Sequence, residues 1–131
     1  MITEDYCSYE VAKLLKEKRF DSPCMGRYSV RSKEFHLDCT KMCNNGGLFE
    51  CAAPSHAMAM KWLREVYNIF IEFYLPSHSE HEDTIYHGTY SFDIFNLNTK
   101  AYVYCTWNEQ EFNSYEEAVE AALKYCLENL I

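Results

Sequence analysis

Apolar and polar positions change period several times along the chain, and each change predicts an element. Ser8 can cap a helix, Glu10 suits its positive end, and Val11, Leu14 and Leu15 fall on one face. Lys13, Lys16 and Glu17 point away, and Asp21-Ser22-Pro23 is expected to stop this helix. Tyr28 and Val30, then Phe35, Leu37 and Cys39, alternate on either side of a turn at Arg31 to Glu34, which predicts a hairpin. From Thr40 to Leu48 periodicity disappears, and Asn44-Asn45-Gly46-Gly47 reads as loop.

The stretch "CAAPSHAMAMKWLREVYNIFIEFY" holds the sharpest change. Ser55 is the expected cap, and Ala59, Leu63 and Val66 form a stripe widened by Met60, Trp62 and Tyr67. Asn68 tolerates a left-handed turn and should end the helix. Ile69, Ile71 and Phe73 then alternate with Phe70, Glu72 and Tyr74, so a helix feeds directly into a strand. Pro76 to His87 reads as a loop. Two further strands carry Tyr90, Phe92 and Ile94, then Ala101, Val103, Cys105 and Trp107, with a turn at Asn96 to Thr99. Tyr102, Tyr104 and Thr106 fall on the last strand's other face. Ser114 and Glu117 have capping-box spacing, and Tyr115, Val119, Ala122, Cys126 and Leu130 make the final stripe. Glu120 stands four residues before Lys124, the spacing of a supporting ion pair. The predicted fold is a single α+β domain over residues 1–131: a three-stranded antiparallel meander plus a hairpin, with about three helices over one sheet face.

A net charge of −8 and a pI near 5.0 set the chain against nonspecific attraction to nucleic acid or anionic lipid. The basic stretches Lys13 to Arg19 and Arg27 to Lys33 are short and interrupted. No apolar run approaches the ~20 residues of a membrane span. Met1 to Tyr6 lacks the basic start and apolar run of an export signal. A cytoplasmic protein with no nucleic-acid or membrane partner is therefore expected. Seven cysteines cannot all pair within the chain, and reduced, mostly buried thiols are the expectation.

Three side-chain groups could carry chemistry. Cys39, Cys43 and Cys51, with Cys24 upstream, supply enough thiolates for zinc but lack paired C-x2-C knuckles. His78, His81 and His87 stand among Glu80, Glu82 and Asp83, yet Ile85 occupies the place of the second histidine of H-E-x-x-H. Cys51 and His56 could meet across Pro54 as thiol and base, although their spacing does not require it. Core packing and a solvated acidic loop account for the same residues without chemistry. The chain has no G-x-S-x-G, phosphate-binding glycine loop or dinucleotide fingerprint. No catalytic residue and no cofactor are assigned from sequence.

The blocks "SYEVAKLLKEKRFD", "CAAPSHAMAMKWLREVYNIFI" and "SYEEAVEAALKYCLENLI" together resemble a family of small uncharacterised proteins of gut Bacteroides genomes. The genes of that family often neighbour phage or mobile elements. The blocks span under half of the chain, and the resemblance implies a bacterial or phage-derived origin without any catalytic residue. The leading expectation is a non-enzymatic protein-binding or accessory protein. Its surface would comprise Tyr102 and Tyr104 with Phe70 and Tyr74 nearby, taking a partner protein or a second copy. The same tyrosines would instead be second-layer core if the hairpin from Tyr28 to Cys39 covered them. Two other functions compete: a small metal- or thiol-dependent enzyme using a Cys/His cluster, and an acidic decoy of a nucleic-acid-binding protein.

Overall fold

Ser8 opens the first helix as expected, its hydroxyl accepting from the Val11 amide at 3.2 Å. The computed structural model describes residues 1–80, 83–86, 88–106 and 110–131. Helix α1 (Tyr9–Glu17) stops well before Pro23. Arg19 adopts a left-handed φ of 66°. The amides of Arg19 and Phe20 donate back to the Lys16 and Leu15 carbonyls at 3.1 and 2.9 Å. This is the Schellman arrangement, in which the residue beyond the turn packs toward the last helical turn. Phe20 and Leu15 are both fully buried. Burial of Phe20, not the proline, sets where α1 stops.

Among the described residues the fold is α+β, with three helices and two three-stranded antiparallel sheets. It also holds a two-stranded hairpin. The chain forms two compact units: Met1–Lys61 with Leu123–Ile131, and Trp62–Ala122.

In the first unit the expected hairpin is present as β1 (Gly26–Ser29) and β2 (Phe35–Leu37), with Tyr28 opposite Phe35. A third strand, β3 (Glu50–Ala52), pairs antiparallel with β1 and was not expected from the pattern. Three residues are too few to show a period. A Cβ on Gly26 would lie 2.6 Å from the Ala53 carbonyl oxygen, so only glycine fits where β1 begins. Ala12, Cys51 and Ala53 form a small core with Tyr28 against it.

Side chains, not a regular ladder, hold the irregular crossing from Asp38 to Phe49. Lys16 Nζ donates to the Gly47 and Glu50 carbonyls, both at 2.6 Å. Asn45 Nδ2 donates to the Phe20 carbonyl at 2.8 Å, and its Oδ1 accepts from the Ala52 amide at 2.7 Å. Buried Arg27 donates to the Lys41 carbonyl at 2.6 Å and pairs with Asp38 and Glu50 at 3.1 and 3.3 Å. Loop carbonyls that no strand satisfies thus find cationic and amide donors.

The second unit contains the meander. Strands β4 (Ile69–Tyr74), β7 (Ser91–Asn96) and β8 (Ala101–Cys105) pair antiparallel in the order β4-β7-β8. The expected loop from Pro76 instead contains a hairpin, β5 (Ser77–Glu80) with β6 (Asp83–Tyr86). Its polar composition hid it, because a two-stranded ribbon need not bury an apolar face.

Helix α2 (His56–Tyr67) is capped by the Ser55 hydroxyl, 3.2 Å from the Met58 amide, and Asn68 ends it at a φ of 58°. Its buried stripe is Ala59, Trp62 and Leu63; Val66, expected inside, is exposed. Helix α3 (Tyr115–Asn129) has its Ser114 cap on the Glu117 amide at 3.1 Å. The return bond from Glu117 goes to the Asn113 amide, one residue earlier than the capping box predicts. Val119, Ala122 and Cys126 are buried, with Ala118, Leu123 and Leu127 widening the stripe. Lys124 reaches Glu10 of α1 at 2.7 Å and Glu128 at 3.9 Å, rather than the expected Glu120.

Candidate protein-binding face

Pairing register assigns each side chain of the β4-β7-β8 sheet to a face. Ile71 lies opposite Ile94 and Phe73 opposite Phe92, so these residues share one face with Ile69. Ile69, Ile71, Phe92 and Ile94 are buried there. The Phe73 ring packs edge-on against Tyr115 at 5.1 Å, and Phe92 stacks on Phe112 at 5.8 Å. Phe70, Glu72 and Tyr74 lie on the opposite face with Asp93 and Phe95.

On β8 the alternation breaks. Ile94 pairs with Tyr104, but its neighbour Phe95 pairs with Tyr102, leaving Val103 as an extra residue. A bulge of this kind puts residues two apart on opposite faces. Tyr102 therefore joins Phe95, with ring centroids 5.1 Å apart, while Tyr104 packs on the inner face, 6.0 Å from Phe92. The expectation that Tyr102 and Tyr104 form one patch is thereby corrected. Phe70 and Tyr74, expected near Tyr102, do share its face. At 54% exposure Tyr102 is not second-layer core, and Phe70 is 37% exposed.

The outer face combines these rings with two carboxylates that sequence reasoning did not single out. Glu72 and Asp93 are directly opposite in the β4–β7 register. Like charges in that position repel unless donors screen them. Tyr102 donates to Glu72 Oε2 at 2.9 Å and Tyr74 to Asp93 Oδ1 at 3.3 Å. The Glu72 carboxylate holds the Tyr102 phenol above its ordinary range, first through that hydrogen bond and then through its charge. For Tyr74, burial leads and the charge of Asp93 adds to it. Exposed Cys105 is raised by desolvation and then by Asp93. Their proximity could have been found in the sequence only with the correct register, since the two acids are far apart along the chain.

With β4 at one edge of this sheet, β8 forms the other. Its Ala101, Tyr102 and Val103 side chains are exposed, and its far side pairs with no strand among the described residues. An edge of this kind presents backbone donors and acceptors to an incoming strand.

The Cys and His groups fall elsewhere. Among the described residues, Cys39, Cys43 and Cys51 do not bring three ligand atoms within 4.8 Å of one another. Cys39 is exposed, whereas Cys24, Cys43 and Cys51 are buried. Burial pushes the Cys24 and Cys51 thiols up to about 11, with Cys43 adding to both and Lys16 opposing the shift at Cys51. His78 lies on β5, while His81 and His87 lie outside the described residues.

His56 is buried in the first turn of α2, with the Cys7 sulfur within 4.8 Å of its ring. Cys7, not the expected Cys51, is thus the thiol beside it. The pairing follows from backbone bonds that join the chain before α1 to the start of α2. Cys7 N donates to the Pro54 carbonyl at 2.9 Å, and His56 N to the Asp5 carbonyl at 2.8 Å. A fully buried thiol has no path to a substrate in this conformation. No helix of the described residues is long and apolar enough to cross a membrane. No protein family, curated protein or solved structure matches this chain.

Proposed function

We propose that this chain is a non-enzymatic protein-binding or accessory protein, acting in the cytoplasm of a bacterium whose genome or mobile element encodes it. The observation that carries the reading is the outer face of the β4-β7-β8 sheet. Exposed Phe70 and Tyr102 flank the carboxylates Glu72 and Asp93 there, beside the unpaired edge of β8. The partner that suits it is an extended protein segment bearing basic and apolar side chains. Its backbone would add to β8, its apolar groups would cover Tyr102 and Phe70, and its cations would meet the two acids. The net charge of −8 favours the same partner over a nucleic acid.

The test compares wild type with a Phe70→Ser, Tyr102→Ser double variant and with Val103→Lys, a lysine being a natural blocker of sheet edges. All three positions are exposed, so folding is expected to persist. Partner recovery from bacterial lysate should fall for both variants and fall with added salt. Sedimentation of the purified proteins distinguishes a second copy as the occupant: a wild-type dimer that becomes monomeric in the variants assigns the face to self-association. Folded variants with unchanged mass and unchanged partner recovery would overturn the proposal.

A further inference from the structure

Cys24 and Cys43 face each other across an isolated antiparallel bridge that belongs to none of the strands. Each amide donates to the other residue's carbonyl, both at 2.8 Å. A hydrogen-bonded antiparallel pair holds its Cα atoms about 5.5 Å apart. A disulfide spans roughly 4.4–6.8 Å between Cα atoms, so this backbone already has a bridging separation. Both residues are 6% exposed and both are free thiols; Cys24 Sγ donates to the Ser22 carbonyl at 3.3 Å.

The flanking chain holds the two positions in register. On the Cys24 side, the Met25 carbonyl accepts from the Asp38 amide at 3.0 Å. On the Cys43 side, Arg27 holds the Lys41 carbonyl at 2.6 Å. Cys51, the other thiol near Cys43, is committed by its backbone to Tyr28 in the β1–β3 ladder. Cys24 is therefore the cysteine that the backbone sets opposite Cys43.

We propose that Cys24 and Cys43 are a redox pair that closes to an intrachain disulfide by exchange with a small-molecule disulfide of the oxidised-glutathione class. One cysteine, as thiolate, attacks the small disulfide, forming a mixed disulfide and releasing one small thiol. The other protein thiolate then attacks the protein-side sulfur of the mixed disulfide, forming the Cys24–Cys43 bond and releasing the second small thiol. The two protons lost by the cysteines go to the two departing thiolates. Two protein thiols are oxidised and one small disulfide is reduced.

Burial restrains the first attack, because the thiolate is the nucleophile and Cys24 holds its proton up to about pH 11. Local opening of the Asp38–Phe49 crossing is thus the step that admits the oxidant, and closure should quicken as pH rises. Once formed, the bond links the chain before β1 to the crossing after β2. Cys24 also lines an apolar cleft of about 180 Å³ with Met25, Met42, Pro54 and Met58, so the bond would restrain part of its lining.

The experiment exposes the full chain to oxidised glutathione, blocks remaining thiols with iodoacetamide and maps the unreduced digest by mass spectrometry. A peptide joining Cys24 to Cys43 should dominate, and the thermal midpoint should rise above that of the reduced protein. Cys43→Ser should abolish the link and the rise, whereas Cys39→Ser and Cys105→Ser should keep both. Carbamidomethylated Cys24 and Cys43 after oxidation would overturn the proposal. So would Cys43 joined mainly to Cys51, or a midpoint rise that survives in Cys43→Ser. Mapping of the wild type decides the matter even if Cys43→Ser does not fold.

Discussion

The Tyr102 hydroxyl on β8 donates to Glu72 on β4 at 2.9 Å, reaching over the intervening strand β7. A ring that is more than half exposed is thereby held in one orientation before any partner arrives. Pre-ordering of this kind lowers the entropy cost of binding more than it adds to folding stability.

Tyr102→Phe should therefore leave unfolding stability almost unchanged, because a hydrogen bond made in water replaces one made to water. Partner recovery should fall all the same. Glu72→Gln weakens the hydrogen bond that holds the phenol proton and removes the charge that adds to it, so Tyr102 should titrate closer to the ordinary tyrosine range. Ultraviolet titration of the two proteins reads this: the variant's tyrosinate absorbance should begin to rise at lower pH than the wild type's. Coincident curves would mean that the hydrogen bond does not persist in solution.

Helix α3 offers a test of the core. Val119 is fully buried, and Val119→Asp would place a charge there without a partner, costing several kcal/mol or preventing folding. Ser114→Ala removes one cap bond and should cost about 1 kcal/mol. Urea denaturation ranks the two, and a neutral Val119→Asp would mean that the stripe does not face the interior.

Arg27 joins the crossing to β1. Arg27→Met keeps bulk but strands the Lys41 carbonyl and releases Asp38 and Glu50. Both acids are partly exposed, so the loss should be roughly 1–3 kcal/mol, less than for a fully buried pair. Limited proteolysis should cut the variant between Asp38 and Phe49 first. The Asp38 carboxyl is held below its ordinary value, first by its bonds from Thr40 and then by Arg27. Its contribution is present above the ordinary aspartate range and is lost as pH falls through the lowered value. Arg27→Met should therefore flatten part of the acid limb of the stability curve.

The elements that could be read in the sequence are those in which one rule acted over many residues. The three helices, their Ser8, Ser55 and Ser114 caps and the β4-β7-β8 meander follow from period and capping alone. What escaped depended on single residues acting at a distance. Phe20 ends α1 by burying itself, β3 is too short for a period, and the crossing is pinned from outside by Lys16 and Arg27 and from within by Asn45, which reaches Phe20. The candidate face was half legible: Phe70, Tyr74 and Tyr102 share it as alternation requires, whereas the Val103 bulge turned Tyr104 inward. No local pattern marks that bulge, since β8 reads as a regular strand throughout. Cys7 beside His56 was hidden for a similar reason, because backbone bonds around Pro54 bring together segments almost fifty residues apart.

Buried thiols should give the protein an alkaline limb of its own. Cys126 is fully buried, and that burial pushes its thiol from 9.0 up to about 12. Cys24 and Cys51 are raised to about 11, again chiefly by burial. Above pH 9 the unfolded chain releases these protons while the folded chain keeps them, so unfolding becomes more favourable as pH rises. Stability from this source is complete below about pH 9 and is lost progressively up to about pH 12, with Cys126 the last to titrate. Urea midpoints measured in reductant from pH 7.5 to 10.5 should hold level and then decline. Cys126→Ala should cost roughly 1 kcal/mol at neutral pH, as a small core truncation does. Its decline above pH 9 should be shallower than the wild type's, because one proton fewer is released on unfolding. Parallel declines in the two proteins would show that Cys126 does not hold its proton in the folded state, and that the packing around α3 is looser than its burial implies.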